Sequence, residues 1–224
     1  MAAKLTIIIG DGFFIAETSL TKKKLKLRVL QDKKIVATYD FINKGGEILP
    51  FQNGSGKYTI ELYENILSNR YTKVTSQTFN VLLSREDAAF LHTNQYVKYT
   101  NNLSDKAIEL RKDRSDKEFY DAVKAYMKQN FRYDFIYAIQ VPKTETVLPN
   151  PERLETKKMG ICQDLAAYAA GLLREGGIPA KLAIGYVDNN KYHAWVMTEF
   201  GVYDPTAELN GIARPKKYVA ERYY

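Results

Sequence analysis

Among 224 residues there is one cysteine, Cys162, and there are two histidines, His92 and His193. A single thiol can form neither an intrachain disulfide nor a thiolate zinc cluster, and two imidazoles leave most metal sites without their usual ligands. No metal and no cofactor are expected on this count. If the chain does thiol chemistry, Cys162 is the one candidate nucleophile. It stands in Met159-Gly160-Ile161-Cys162-Gln163-Asp164, just before Leu165-Ala166-Ala167-Tyr168-Ala169-Ala170-Gly171-Leu172-Leu173-Arg174. That alanine- and leucine-rich run reads as a buried helix. Gly160 is a break before it, so Cys162 falls in the first helical turn. Unpaired backbone N–H groups and the positive end of the helix dipole lie there. Both favour thiolate over thiol. The same N–H groups can receive an oxyanion developing on a carbonyl under attack.

The second candidate pair, His193 and Asp204, is eleven residues apart. The helix stops at Gly176-Gly177-Ile178-Pro179, and two strands follow. Lys181–Val187 is apolar and ends at Asp188-Asn189-Asn190; Tyr192–Met197 carries His193 and Trp195. Val202-Tyr203-Asp204-Pro205-Thr206 reads as the return strand of a hairpin. If its loop centres on Thr198-Glu199, His193 and Asp204 are directly opposed, with Cβ atoms ~4.5–5.5 Å apart on one face. Asp204 can then accept a hydrogen bond from the imidazole. If the turn centres on Phe200-Gly201, the register moves and the pair separates. Asp164 reads as an early-helix charge favoured by the dipole. Trp195 reads as packing beside His193, with substrate contact as the alternative. Gln163, next to Cys162, is a candidate for touching substrate, and His92 has no evident partner.

Several elements must position these groups. From residue 85 the pattern is helical, with Ser84 as a possible N-cap and Ser104-Asp105-Lys106 as a further polar start. Ser115 and Glu118 have the spacing of a capping box. Phe119, Val123, Tyr126 and Met127 then mark one face of an amphipathic helix that ends near Gln129-Asn130. The aromatic stretch from Phe131 to Tyr137 reads as core, with a cleft wall as the alternative. A loop punctuated by Pro142, Pro149 and Pro151 follows. Its Thr144–Glu155 part is expected to border the cleft and, as one possibility, to occlude it. Tyr218 to Tyr224 reads as a final strand or a partner contact.

Residues 4–84 read differently. Leu25, Leu27 and Val29 alternate with Lys24, Lys26 and Arg28, the period of a half-buried strand. Further runs lie at Lys34–Ile42, Lys57–Glu64 and Lys73–Leu83. Turn signals separate them at Asn43-Lys44-Gly45-Gly46, Asn53-Gly54-Ser55-Gly56 and Ser68-Asn69. Short strands so spaced indicate an antiparallel β-sandwich. The expected organisation is therefore α+β, with an accessory β-domain over 1–84 and a second domain over 85–224. The net charge is +7, of which +5 lies in residues 1–84. Its first reading is a solvated strand face that blocks edge pairing. Contact with an anionic surface or cell-wall polymer is the alternative. No nucleic-acid motif accompanies the charge, so no nucleic acid is expected. A 45% hydrophobic composition excludes wholesale disorder. No apolar run approaches the ~20 residues of a membrane-spanning helix, and Leu5–Ile9 is too short for a signal-peptide core.

Taken in order, Gly160-x-Cys162-x-Asp164 opening a helix, Tyr192-His193-Ala194-Trp195 on a strand, and Tyr203-Asp204-Pro205-Thr206 resemble the transglutaminase-like superfamily. These are papain-related cysteine enzymes, and the chain is most similar to bacterial transglutaminase-like proteins of the cysteine-peptidase type. The resemblance covers residues 85–210. It implies a papain-like catalytic domain whose nucleophile helix packs on an antiparallel sheet, behind an Ig-like β-sandwich. It also implies a Cys-His-Asp triad: Cys162 as nucleophile, His193 as general base and acid, Asp204 as orienting carboxylate. The family often draws a second oxyanion donor from an upstream aromatic residue, for which Tyr133 and Tyr137 are both candidates.

The implied partner is a peptide or protein substrate. A thiolate attacks an amide carbonyl, and the imidazole carries the proton to the leaving amine. Water resolves the thioester in a protease or deamidase; an amine does so in a transglutaminase. The short chain and the lack of a calcium-type acidic loop favour hydrolysis. A non-catalytic binding or assembly module is the third reading. Relatives of this architecture are often exported, which makes an extracellular or cell-surface setting one expectation.

Overall fold

In the computed structural model, which describes residues 5–21, 24–43, 45–141 and 147–224, the alternation at Leu25, Leu27 and Val29 becomes a strand that buries those three side chains. It is the third of seven strands: β1 (Leu5–Ile9), β2 (Phe13–Thr18), β3 (Leu25–Gln31), β4 (Lys34–Phe41), β5 (Glu47–Pro50), β6 (Gly56–Leu67) and β7 (Arg70–Val81). They form two antiparallel sheets, ordered β1-β2-β5 and β4-β3-β6-β7. The Phe51 ring joins them, 5.2 Å from Phe14 of β2 and 4.7 Å from Tyr58 of β6. On the other face, basic residues are paired: Lys26 with Asp40 at 2.7 Å, Arg28 with Glu61 at 2.7 Å, Lys73 with Glu61 at 3.1 Å. β5 is four residues long between two turns, too short to show a period.

By its contacts the chain divides into two compact units, Met1–His92 and Thr93–Tyr224. Residues 85–92 therefore pack with the first unit. The helix expected from Ser84 does not form. Ser84 instead donates its N–H to Asp11 Oδ1 at 2.9 Å, and only Ala88–Phe90 make a short 3₁₀ turn, all three buried. Their backbone runs so close to Gly12 (φ +89°) that a Cβ there would lie 2.4 Å from the Ala89 nitrogen. The His92 ring packs on Phe13 with centroids 5.2 Å apart.

The second unit opens with α1 (Asn101–Arg111) and α2 (Asp116–Asn130). α1 starts before the expected Ser104, because Thr100 Oγ1 accepts the Leu103 N–H at 3.0 Å. α2 has the expected capping box, Ser115 with Glu118, and buries Phe119, Val123 and Met127. The aromatic stretch then splits. Phe131 is buried, β8 (Arg132–Tyr133) is extended, and α3 (Phe135–Gln140) leaves Phe135 and Ile136 exposed. Residues 142–146, with Pro142 and the start of the Thr144–Glu155 segment, lie outside the described residues. Much of the remainder is helix rather than loop: α4 (Pro151–Lys157) has Pro151 in its first turn and Asn150 as N-cap.

β9 (Met159–Gly160) leads into α5 (Cys162–Glu175), which is buried from Asp164 to Arg174. Then come β10 (Lys181–Val187), β11 (Lys191–Thr198), β12 (Gly201–Tyr203), α6 (Pro205–Asn210) and β13 (Tyr218–Tyr223). These strands form an antiparallel sheet ordered β12-β11-β10-β13. α5 packs between this sheet, chiefly β11, and helices α1 and α2. The architecture is mixed: an antiparallel sheet region, then a helix-on-sheet unit. Among the described residues no helix is long and apolar enough to cross a membrane.

Candidate active site

The start of α5 is built by its neighbours. β8 pairs with β9 in parallel, setting Tyr133 opposite Gly160, and the Asp134 N–H extends the pair to the Gly160 carbonyl at 3.0 Å. A Cβ at Gly160 would lie 2.8 Å from both Asp164 Cβ and Leu154 Cδ1, so the strand reaches the helix only with glycine there. Ile161 is the N-cap residue and offers no side-chain acceptor. Asp164 supplies it instead, accepting the Ile161 N–H at 3.1 Å and the Asn150 N–H at 3.2 Å. Burial pushes its carboxyl up, against the pull of those two N–H groups. Asp164 is thus more than a charge at a dipole: it ties the turn that carries Cys162 to the segment ahead of α4. Gln163 donates from Nε2 to the Val147 carbonyl at 2.9 Å, which ties its side chain to that same segment. Cys162, the first residue of α5, is half-buried.

His193 and Asp204 meet, but through neither expected register. The ladder pairs Val196 with Tyr203, Met197 with Val202 and Thr198 with Gly201, so the turn centres on Glu199-Phe200. One further step would place Asp204 opposite Trp195, which makes His193 its diagonal neighbour on the same face. Asp204 is also not a strand residue. It is the N-cap of α6, its Oδ1 accepting the Ala207 N–H at 3.1 Å. Its Oδ2 reaches His193 Nε2 at 2.9 Å. That leaves Nδ1 as the ring nitrogen free to serve the thiol. The Cys162 side chain interacts with the His193 ring through hydrogen bonding and charge.

The electrostatics follow from that arrangement. Burial pulls the His193 pKa down, but the hydrogen bonds to Asp204 and Cys162 and their charges outweigh it and raise it to about 9. Burial likewise favours a neutral Asp204. The bond and charge of His193, then the Ala207 N–H and the Tyr218 hydroxyl, overcome this and hold the carboxyl below its ordinary value. Around neutral pH the imidazole is cationic and the carboxylate anionic, an ion pair with 13% and 1% side-chain exposure.

Of the two upstream tyrosines, the β8–β9 pair brings Tyr133 to Cys162. Burial, then the charge of Cys162, pushes the Tyr133 hydroxyl up to about 12, so it remains a donor. Tyr137 is engaged elsewhere, with the Arg153 guanidinium 3.8 Å from its ring centroid. Arg153 also bonds Asp134 Oδ2 at 2.6 Å and the Met159 carbonyl at 3.2 Å, clamping both strands of the pair. Trp195 is 1% exposed and packs between His193 and Tyr218, with centroids 6.4 and 5.0 Å away, so it supports the histidine from within the fold. Two residues at this site escaped the sequence reading: Arg153, inside a segment read as loop, and Tyr218, whose hydroxyl donates to Asp204 Oδ2 at 3.0 Å. Arg153 reaches back nineteen residues to Asp134 and Tyr218 fourteen residues to Asp204, and no local pattern announces either.

Among the described residues no group of three or more His, Cys, Asp or Glu side chains is placed to hold a metal. No curated protein matches the chain significantly. Similar solved structures include the following two. A candidate cysteine protease from Cytophaga hutchinsonii aligns at 15% identity and TM-score 0.44, over 95% of this chain and 75% of that one. Red sea bream transglutaminase aligns at 12% identity and TM-score 0.30, over 89% of this chain and 49% of that one, so this chain spans about half its length. Residues 103–207 match the family model of the transglutaminase-like superfamily, so the segment that holds Cys162, His193 and Asp204 is a transglutaminase-like domain.

Proposed function

We propose that this protein is a cysteine-dependent acyl-transfer enzyme acting on peptide or protein amide bonds, with hydrolysis as its reaction. In this reading Cys162 is the nucleophile, His193 the base and acid, and Asp204 the orienting carboxylate. The observation that carries it is one imidazole held at Nε2 by Asp204, 2.9 Å away, while it also interacts with the one thiol of the chain. The Cys162 sulfur attacks the amide carbon, and the carbonyl electrons move to oxygen. N–H groups at the start of α5 and the Tyr133 hydroxyl are the donors for that oxyanion. As the C–N bond breaks, imidazolium gives its proton to the leaving amine. His193 then takes a proton from water, whose oxygen attacks the thioester and frees the acid and the thiol. Partial exposure of Cys162 gives water a route to the thioester. Asp204 stays ionised throughout and fixes the ring orientation.

The test is incubation of the chain and of Cys162→Ala with a peptide pool and a labelled primary amine, read by mass spectrometry. New termini that Cys162→Ala reduces by ~10³-fold or more support a protease. Cysteine-dependent gains of one dalton identify a deamidase, and amine incorporation a transferase. No product of any kind, with Cys162 inert to iodoacetamide at pH 6–7, refutes the enzyme and leaves a binding module.

A further inference from the structure

Tyr218 is the second donor on the oxygen that holds His193. Asp204 Oδ2 accepts His193 Nε2 at 2.9 Å and the Tyr218 hydroxyl at 3.0 Å, while Oδ1 accepts the Ala207 N–H at 3.1 Å. All three bonds fall on a carboxylate 1% exposed. The tyrosine reaches it from the far side of the sheet order, because β13 lies beside β10 and β10 beside β11. Tyr218 pairs with Val187, and His193 pairs with Gly185, two residues along the same strand and therefore on the same face. On the row of His193 itself, β10 and β13 present only Gly185 and Ala220. The Tyr218 ring lies against Trp195, centroids 5.0 Å apart.

The chain that delivers Tyr218 is itself anchored. Asp188, after β10, accepts the Lys216 N–H at 2.8 Å and the Lys217 N–H at 2.9 Å, just before the tyrosine. Of the charged groups around the cluster, Cys162 from α5 and Asp204 from the start of α6 act on His193, and Asp204, Arg214 and Asp188 act on Tyr218.

We propose that Tyr218 is a positioning residue of this site, holding Asp204 by its hydroxyl and taking a share of the Oδ2 charge that would otherwise act on His193 alone. The proposal rests on the triad reading above. Its consequence has a sign. With the hydroxyl present, the carboxylate divides its strongest acceptor between two donors. Without it, Oδ2 serves the imidazolium alone, and the ring holds its proton more tightly.

The experiment labels the histidines of the full chain with ¹⁵N and follows both imidazoles by NMR against pH under reducing conditions. His92→Gln assigns the two signals. Tyr218→Phe removes one oxygen and keeps the ring on Trp195, and a melting curve verifies its fold. The His193 midpoint is expected to rise by about 0.5 pH unit, about threefold in proton affinity. Tyr223→Phe, the same change on the same strand, leaves it in place. A His193 midpoint unchanged or lowered in Tyr218→Phe, while Asp204→Asn lowers it, overturns the role of Tyr218 and leaves the triad standing. If Asp204→Asn also leaves the midpoint unmoved, and iodoacetamide modifies Cys162 equally with and without His193, the triad reading itself falls.

Discussion

The ion pair at the centre of the site makes stability depend on pH within a defined window. An unfolded chain binds the His193 proton with a pKa near 6.5, and the folded chain with one of about 9. The shift of about 2.5 units corresponds to about 3 kcal/mol favouring the folded, protonated state. Since the folded value is raised, this contribution is whole below pH 6.5. It falls by about 1.4 kcal/mol per pH unit as pH climbs to 9, and is absent above. The side chain is 13% exposed, so solvent screening removes little of it. Asp204 works in the opposite direction. Its folded pKa is lowered, so its contribution is present above the unfolded value of about 3.9 and is lost on acidification. Stability from the pair should therefore peak between about pH 4 and 6.5. The assay is urea unfolding at fixed pH steps, read by fluorescence of Trp195. It is the one tryptophan of the chain and packs beside His193, so it reports on the second unit alone. Subtracting the curve of His193→Gln removes the titrations of groups that do not interact with His193. A difference between the two proteins that stays flat from pH 6 to 9.5 would refute the electrostatic reasoning.

Two further predictions concern the approach to Cys162. Gly160→Ala places a methyl 2.8 Å from Asp164 Cβ and Leu154 Cδ1, and should cost about 1–3 kcal/mol in the same unfolding assay. Tyr133→Phe should lower kcat/KM on an amide substrate by about 10²-fold. It should leave the rate of iodoacetamide alkylation of Cys162 unchanged, because alkylation develops no oxyanion; equal losses in both assays would assign Tyr133 to thiol activation instead.

What could be read in the sequence was short in range. The capping box of α2 spans Ser115 to Glu118, within reach of one helical turn. The start and stop of α5 rest on Gly160 and on Gly176-Gly177, glycines adjacent to the helix they bound. The alternation of β3 needs only the strand itself. Features that depended on pairing distant segments were not legible. A two-residue parallel ladder, Arg132-Tyr133 on Met159-Gly160, is what sets Tyr133 rather than Tyr137 beside Cys162. Two residues carry no periodicity, so the tyrosines looked alike. Tyr218 lies fourteen residues beyond Asp204 in the chain and joins it only because β13 returns beside β10. Ser84 looked like a helix cap because its neighbours are polar, but a long-range acceptor, Asp11, takes its N–H.

The hairpin bearing His193 shows why a mistaken register can still place the right partners. The sequence allows turns at Thr198-Glu199 and at Phe200-Gly201, and the observed turn, Glu199-Phe200, lies between them. Each one-residue move of the turn centre slides one strand past the other by two residues. A slide of two restores every side chain to its original face, whereas a slide of one would send His193 and Asp204 to opposite faces. His193 and Asp204 therefore share a face in all three hairpins, and only their separation along it changes. In the observed register that separation is one diagonal step. It is closed because the strand ends at Tyr203 and Asp204 turns into the N-cap of α6, with Pro205 behind it. The Asp-Pro pair, read as strand, is what frees the carboxylate to bend toward the ring. The same cap bond from Ala207 to Oδ1 then leaves Oδ2 for His193, so the helix start and the imidazole are served by separate oxygens of one side chain.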